Sequence, residues 1–383
     1  MVAGSSCETA RGGLGCLRVT IEDMTPFRGP EELDTPCLVV DVDLLARNVA
    51  AMAEAMRARG LAVRPHAKTH KCLQIAQRQI AAGATGLTVA TVAEAEVFTA
   101  AGVSDLFIAY PVWASGKRGR RLRTLAERAS LRVGVDSIEG AAMLAGALSG
   151  TGAQVLVEID SGHHRTGVRP EEAAGVALAA ARAGLRVAGV FTFPGHGYGP
   201  DRRSRAAMDE ATALDQAAQA LECEGLEAPV RSGGSTPTVA NADPGVLTEV
   251  RPGVYVFNDA QQGELGSCSW SDVALTAAAT VVSTRGSQVV LDAGSKVLGA
   301  DQPGWATGSG RLLDHLDARI VALSEHHATA LFPDGAPLPD RGEVVRVVPN
   351  HVCAAVNLAD EMVVVSAGEV VDRWPVAARG ANT

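Results

Sequence analysis

The sequence predicts an α/β chain in two parts, an N-terminal (β/α)8 TIM barrel followed by a smaller β-rich domain. Three observations carry this. From residue 37 to about 270, short β-branched runs alternate with longer Ala-, Leu- and Glu-rich stretches of helical spacing. Eight apolar runs follow the first of these helices, and eight parallel strands close a barrel. Beyond about residue 270, strand-like runs succeed one another without helices between them. With 383 residues, 47% of them hydrophobic, the chain can bury a core large enough for both parts.

The elements read in order as follows. "CLVVD" (37–41) is a strand, and "VDLLARNVAAMAEAMRARG" after it is a helix that stops at Gly60. The eight barrel strands are expected at "AVRPH", "GLTVA", "DLFIAY", "LRVGVD", "QVLVEID", "VAGVFTF", "PVRSGG" and "GVYVF". Residues 205–225 form a long helix between two of them. The second domain is expected to hold strands at "VALTAAATVVST", "SQVVLDAG", "RIVALSEHHATALF", "GEVVRVVPNHVC" and "EMVVVS", with 299–310 as a loop. The expected boundaries are a loose tail at 1–30, the barrel at 31–270 and the β domain at 271–383. Residues from about 16 to 40 are a candidate to pack with the β domain.

Charge and cysteine usage exclude several classes. The net charge is −9 and Lys and Arg are spread along the chain, so no basic stripe for nucleic acid exists. "GKRGRRLR" (116–123) reads as the solvated start of a helix. Seven scattered cysteines, an odd number without a CxxC pair, are no disulfide framework and point to a reducing compartment. No apolar run approaches the roughly 20 residues of a spanning helix, and the N-terminus lacks the apolar middle of a signal peptide. A cytoplasmic protein without nucleic-acid or membrane partners is expected.

Polar groups gather where barrel strands end, which is where barrel chemistry sits. "RPHAKTHK" (64–71) brings His66 and Lys68, "VEIDSGHHRTGV" brings Asp160, His163, His164 and Arg165, and "VFTFPGHGYG" brings His196 and Tyr198. "VRSGGSTPT" brings Gly233, Gly234, Ser235 and Thr236, and "VRPGVYVFND" brings Tyr255 and Asp259. A lysine opening a helix is ordinarily a surface residue. At a strand end, crowded by His66 and His70, its amine is pushed toward the neutral, nucleophilic form. The glycine pair is either a turn or a cradle for an anion. A reactive lysine and a phosphate cradle together describe pyridoxal phosphate, with Arg165 free to face its ring nitrogen. His351 and Cys353, two apart in an expected strand, share one face. They are either a zinc-binding pair or a buried cysteine beside a core histidine. "SEHH" (324–327) is a candidate source of a further ligand.

"TPCLVVDVDLLARNV", "RPHAKTHK", "VEIDSGHHRTGV", "GHGYG", "RSGGSTPT", "RPGVYVFND", "LGSC", "LDAGSK" and "PNHVC" occur in family order over about residues 33–375. Together they resemble the D-serine dehydratase and D-threonine aldolase family, pyridoxal-phosphate enzymes of the alanine-racemase-like fold type III. The resemblance implies a homodimer with active sites near the subunit contact. It implies that Lys68 joins the cofactor aldehyde and later handles the Cα proton. Gly233, Gly234, Ser235 and Thr236 would hold the phosphate with help from Tyr255, and Arg165 would approach the pyridine nitrogen. His66 and Tyr198 complete the expected cofactor-binding set. His351 and Cys353 would bind zinc, as the dehydratase branch does. Aldolase-like members carry His-x-Asp and harder ions, Mn2+ or Mg2+ being the alternatives. Ala354 stands where dehydratases commonly carry proline.

The expected activity is therefore a pyridoxal-phosphate- and zinc-dependent lyase. It removes water and ammonia from a D-3-hydroxy amino acid, whether D-serine, D-threonine or D-threo-3-hydroxyaspartate, to give a 2-oxo acid. Lys68 or His196 is expected to take the Cα proton. The alternative is an aldolase giving glycine and an aldehyde. A racemase of the same fold needs no metal, and a non-catalytic cofactor carrier has no use for the C-terminal pair.

Overall fold

The computed structural model describes residues 33–383, so the expected tail at 1–30 lies outside the described residues. β1 (Cys37–Asp41) runs directly into α1 (Val42–Ala58) because Asp41 serves both. It ends the strand, and its carboxylate caps the helix by accepting from the Asp43 and Leu44 amides. The chain then alternates: β2 (Ala62–Val63), α2 (Leu73–Ala81), β3 (Leu87–Val89), α3 (Val92–Ala100), β4 (Asp105–Pro111), α4 (Gly116–Ala126) and β5 (Ser130–Val135). There follow α5 (Ile138–Leu148), β6 (Gln154–Glu158), α6 (Ala173–Arg182), β7 (Arg186–Phe191), α7 (Arg203–Cys223), β8 (Val230–Gly233) and β9 (Glu249–Val250).

Strands β2 to β9 form one parallel sheet in the order β2-β9-β8-β7-β6-β5-β4-β3. Its two ends meet, with Thr85 N and Thr88 N each donating at 2.9 Å to the carbonyls of Val63 and Pro65. The eight parallel strands and the separate, mostly stranded second part are as expected. One strand is not where the sequence placed it. "GVYVF" is a 3-10 turn, Val254–Val256, and the closing strand is β9 just before it. A five-residue apolar run looks the same as a strand or as a buried turn. Here Val254, Tyr255 and Val256 pack in the core beside α1. β9 escapes notice because its Glu249 carboxylate points into the barrel.

That inward carboxylate organises the barrel floor. Arg64 is 1% exposed, and its Nε donates to Glu249 at 2.7 Å while Nη1 donates to Asp105 at 2.6 Å. Ser232 Oγ donates to Glu249 at 2.6 Å, and Arg251 donates to Ser232 Oγ and to the Thr192 carbonyl. Buried charges persist only when paired and hydrogen bonded, and this network also anchors the "RPHAKTHK" segment. Lys71 turns away to Glu94 (3.3 Å) and Asn382 (3.0 Å), and His70 bonds Gln79 (3.2 Å). Of the five bases, His66 and Lys68 are left at the barrel mouth.

The remainder comprises α8 (Ala260–Glu264), β10 (Leu275–Arg285), β11 (Gln288–Leu291), α9 (Ser295–Leu298), β12 (Arg311–Leu312), β13 (Arg319–Leu323) and β14 (Ala328–Leu331). It ends with β15 (Val344–Val348), α10 (Val352–Leu358), β16 (Glu361–Ser366) and β17 (Glu369–Pro375). β1 belongs to this second sheet, antiparallel to β10 and parallel to β16. The run expected as one strand over 319–332 is a hairpin that turns at Ser324–His327, where the Ser324 amide donates to the His327 carbonyl. Among the described residues no helix is long and apolar enough to cross a membrane.

Candidate active site

A cavity of about 300 Å³ opens at the barrel mouth, and the second domain supplies one of its walls. Lys68 enters it from the 3-10 turn Ala67–Thr69 that follows β2. Its Nζ stands 5.8 Å from the Phe193 ring centroid and has no hydrogen-bond partner among the described residues. His66 lines the same cavity, and its Nδ1 is buried without a partner. Burial, together with the charges of Lys68 and Arg251, holds its imidazole well below the usual range and therefore neutral. Arg165 faces in from the loop after β6, its guanidinium 5.2 Å from the same Phe193 ring.

The glycine segment is more specialised than a simple cradle. Gly233 does not line the cavity; a Cβ there would lie 2.3 Å from Glu210 Oε1. Gly234 has φ +74, and its amide donates to that carboxyl at 2.6 Å. The Ser235 amide donates to Thr238 Oγ1 at 3.0 Å. Two of the amides that sequence pointed toward a phosphate are thus used inside the protein. The amides of Thr236, Gly253 and Val254 donate to nothing among the described residues, and Gly253 and Val254 line the cavity. Gly253 is required there, because a Cβ would meet Thr69 Oγ1 at 2.6 Å. Tyr255 joins this end only through its amide, which donates to Thr236 Oγ1 at 3.1 Å. Its phenol accepts from Gln79 Nε2 at 3.1 Å and faces a separate cavity. The structure therefore gives the turn's backbone, not the Tyr255 ring, to the anion end.

The two glycine–histidine pairs interlock. A Cβ on Gly195 would lie 2.6 Å from the His163 ring, and one on Gly162 would lie 3.3 Å from the His196 ring. His163 lines the cavity, and burial followed by the Arg165 charge lowers its pKa. His196 lies behind it, Nε2 3.4 Å from Asp209 Oδ2, with both ring nitrogens buried and unbonded. The imidazole that faces the cavity is thus His163 rather than His196. Asp160 holds this loop by accepting from the Gly162 and His164 amides at 2.9 and 3.0 Å. Tyr198 lines the cavity, burial pushes its phenol up, and its carbonyl accepts from Trp305 Nε1 at 3.1 Å.

His351 and Cys353 meet in the same cavity, but not as neighbours on a strand. β15 stops at Val348; His351 is the extended N-cap residue of α10, and Cys353 is in its first turn. Burial alone would raise the Cys353 thiol. The charge of His351 beside it, followed by that of Lys68 and the hydrogen bond to Thr69, outweighs this and lowers it. The Cys353 charge in turn pushes His351 up to about 11. Fully buried Asp259 lies 3.3 Å from His351 Nδ1, a nitrogen without a hydrogen bond, and also caps α8 and accepts the Val352 amide. The Cys353 sulfur and the His351 ring are a two-residue donor pair of the kind that suits a soft divalent ion, with Asp259 behind the ring; among the described residues no group of three or more His, Cys, Asp or Glu side chains gathers to hold a metal. "SEHH" is elsewhere, Glu325 and His326 both lying against Lys296. Gln261, Asp301, Thr69 and Arg251 line the cavity without having been singled out from sequence.

This arrangement is shared with known proteins. Residues 40–261 match the family profile of the alanine racemase N-terminal domain, and residues 274–365 match that of a serine dehydratase domain. The D-threo-3-hydroxyaspartate dehydratase of Delftia sp. is 37% identical over 352 residues, covering 84% of this chain and 91% of its own. The crystal structure of D-threonine aldolase from Filomicrobium marinum superposes with TM-score 0.83 at 35% identity, over 92% of this chain and 97% of that one. A cysteine-to-alanine mutant of a D-threo-3-hydroxyaspartate dehydratase in the metal-free form superposes equally well, TM-score 0.83 at 33% identity, over 90% and 97%. The fold and the site define an alanine-racemase-like enzyme. Within that class the chain belongs to the D-serine dehydratase and D-threonine aldolase family of pyridoxal-phosphate-dependent lyases.

Proposed function

We propose that this enzyme dehydrates and deaminates a D-3-hydroxy amino acid with a zinc ion held by His351 and Cys353. The observation that carries the reading is the shared cavity. An unbonded lysine amine and an acidified thiol–imidazole pair, from different domains, face the same space. When bound, pyridoxal phosphate supplies an electron sink at Cα and the metal a Lewis acid for a β-hydroxyl.

The chain's own residues do the rest. Lys68 Nζ would hold the cofactor's aldehyde carbon and is the group placed to take and return a Cα proton. Neutral His66 beside it adds no competing charge. The free amides of Gly253 and Val254, with Ser235, would hold the phosphate, and Arg165 would stand toward the ring. Phe193, Tyr198 and the 299–310 loop close the cavity; Asn350 Nδ2 ties that loop down by donating to the Asp301 and Gly308 carbonyls at 3.0 and 2.8 Å. Loss of the Cα proton and the β-hydroxyl, then hydrolysis, yields a 2-oxo acid and ammonia. Cys353, a soft donor, favours zinc over Mn2+ or Mg2+. D-Serine and D-threo-3-hydroxyaspartate are the proposed substrates.

The second reading, cleavage of Cα–Cβ to glycine and an aldehyde, draws on the likeness to the Filomicrobium aldolase. Product analysis separates them. Ammonia and a 2-oxo acid in equal amounts support dehydration; glycine and an aldehyde overturn it. Five described cysteines are free, which suits the cytoplasm, and sedimentation would test the proposed homodimer.

A further inference from the structure

Arg165 has to stand at a defined place in the cavity, yet no hydrogen bond or ion pair to a described residue holds its guanidinium. It rests on Phe193, and behind it lies a second, very small cavity of about 10 Å³ shared with Thr166, Thr192 and Glu158. That is room for about one water. Glu158 ends β6 and is 3% exposed. Its Oε1 accepts from Thr166 Oγ1 at 2.9 Å, and its Oε2 is buried without a partner. An unpartnered buried oxygen beside a one-water space and an untethered guanidinium are three observations with a single explanation.

We propose that Glu158 is a positioning residue for the cofactor: through one water in the small cavity, its carboxyl sets how far the Arg165 guanidinium stands into the main cavity. The proposal rests on the pyridoxal-phosphate reading and deepens it. Burial raises the Glu158 carboxyl to about 7, against the pull of Thr166, Arg165 and Arg251 and with a push from Asp136. Neutral, it donates to the water and leaves the guanidinium free to face the ring. Ionised in that poorly hydrated gap, it draws Arg165 back toward β6. The other groups facing it are Asp136 beyond β5, Arg251 beyond β9, and Asp160 and His163 on the rim of the small cavity. Asp160 and His163 lie between Glu158 and Arg165 along the chain, whereas Asp136 and Arg251 come from other elements.

The test is titration of apoprotein with pyridoxal phosphate at pH 6 and pH 8.5, read by absorption. Wild type should bind several-fold more weakly at the higher pH. Glu158→Gln, which mimics the neutral carboxyl, should match wild type at pH 6 and lose that step. Arg165→Met should also lose the step with Glu158 intact, which keeps the test decisive should the glutamine variant fold poorly. The same pH step surviving in either variant overturns the proposal. Failure of the cofactor reading is distinguishable, since wild type would then acquire no absorption band at either pH.

Discussion

Lys68 reaches the cavity from a strand end of the barrel, whereas His351 and Cys353 reach it from the first turn of a helix in the other domain. The barrel side is held by local chain geometry: β2 ends, Arg64 directly after it is locked to Glu249 and Asp105, and a single 3-10 turn follows. The other side is held by contacts distant in sequence. Asp259 accepts the Val352 amide, Asn350 anchors the 299–310 loop, and Cys353 Sγ lies 3.4 Å from Thr69 Oγ1, the residue next to Lys68. A reaction that needs both sides should therefore fail in two distinguishable ways.

Lys68→Ala gives the largest effect. It should abolish the visible band of bound cofactor and lower kcat by at least about 10³-fold, on the scale of losing a covalent nucleophile. Cys353→Ala, or thorough chelation, should lower kcat by about 10²-fold with the band intact, as loss of a metal-ligand interaction does. Full turnover after chelation would merge the two sides into one.

Glu210→Gln tests the barrel side by stability. Burial raises the Glu210 carboxyl to about 7. The unfolded chain ionises near the ordinary glutamate value, about 4.3, so as pH rises from there the unfolded state loses its proton first. Wild type is thus progressively destabilised up to about pH 7, by as much as ~4 kcal/mol. Glutamine preserves an acceptor for the Gly234 amide without titrating. The gain in Tm of the variant over wild type should grow between pH 5 and pH 8; an equal gain at both would contradict the assignment. The smallest effect is expected for Tyr255→Phe, whose phenol faces Gln79. Cofactor affinity should stay within about twofold while stability falls by about 1 kcal/mol. A large loss of affinity would return the phenol to the phosphate end.

These contrasts also explain what could be read from the chain alone. Lys68, His66 and Arg165 were legible because each follows an apolar strand at the position where a barrel opens. Gly234 and Ser235 were legible as an exception to side-chain packing, though not the use of their amides by Glu210 and Thr238. Residues whose role depends on a neighbour from another element carried no local signal. Thr69 matters because Cys353 arrives beside it, Arg251 because Ser232 and Thr192 accept from it, and His163 displaced His196 only through the interlocked glycines. The turn at Val254–Val256 reads as a strand because hydrophobicity marks burial, not backbone conformation.

Anomalous scattering at the zinc edge, from crystals grown with pyridoxal phosphate and zinc, is the measurement that bears most directly on the joined site. One peak per chain is expected, about 2.3 Å from Cys353 Sγ and about 2.0 Å from a His351 ring nitrogen, in the cavity where density runs unbroken from Lys68 Nζ into the cofactor. A peak elsewhere, or none beside Cys353 in zinc-replete protein, would contradict the joined site.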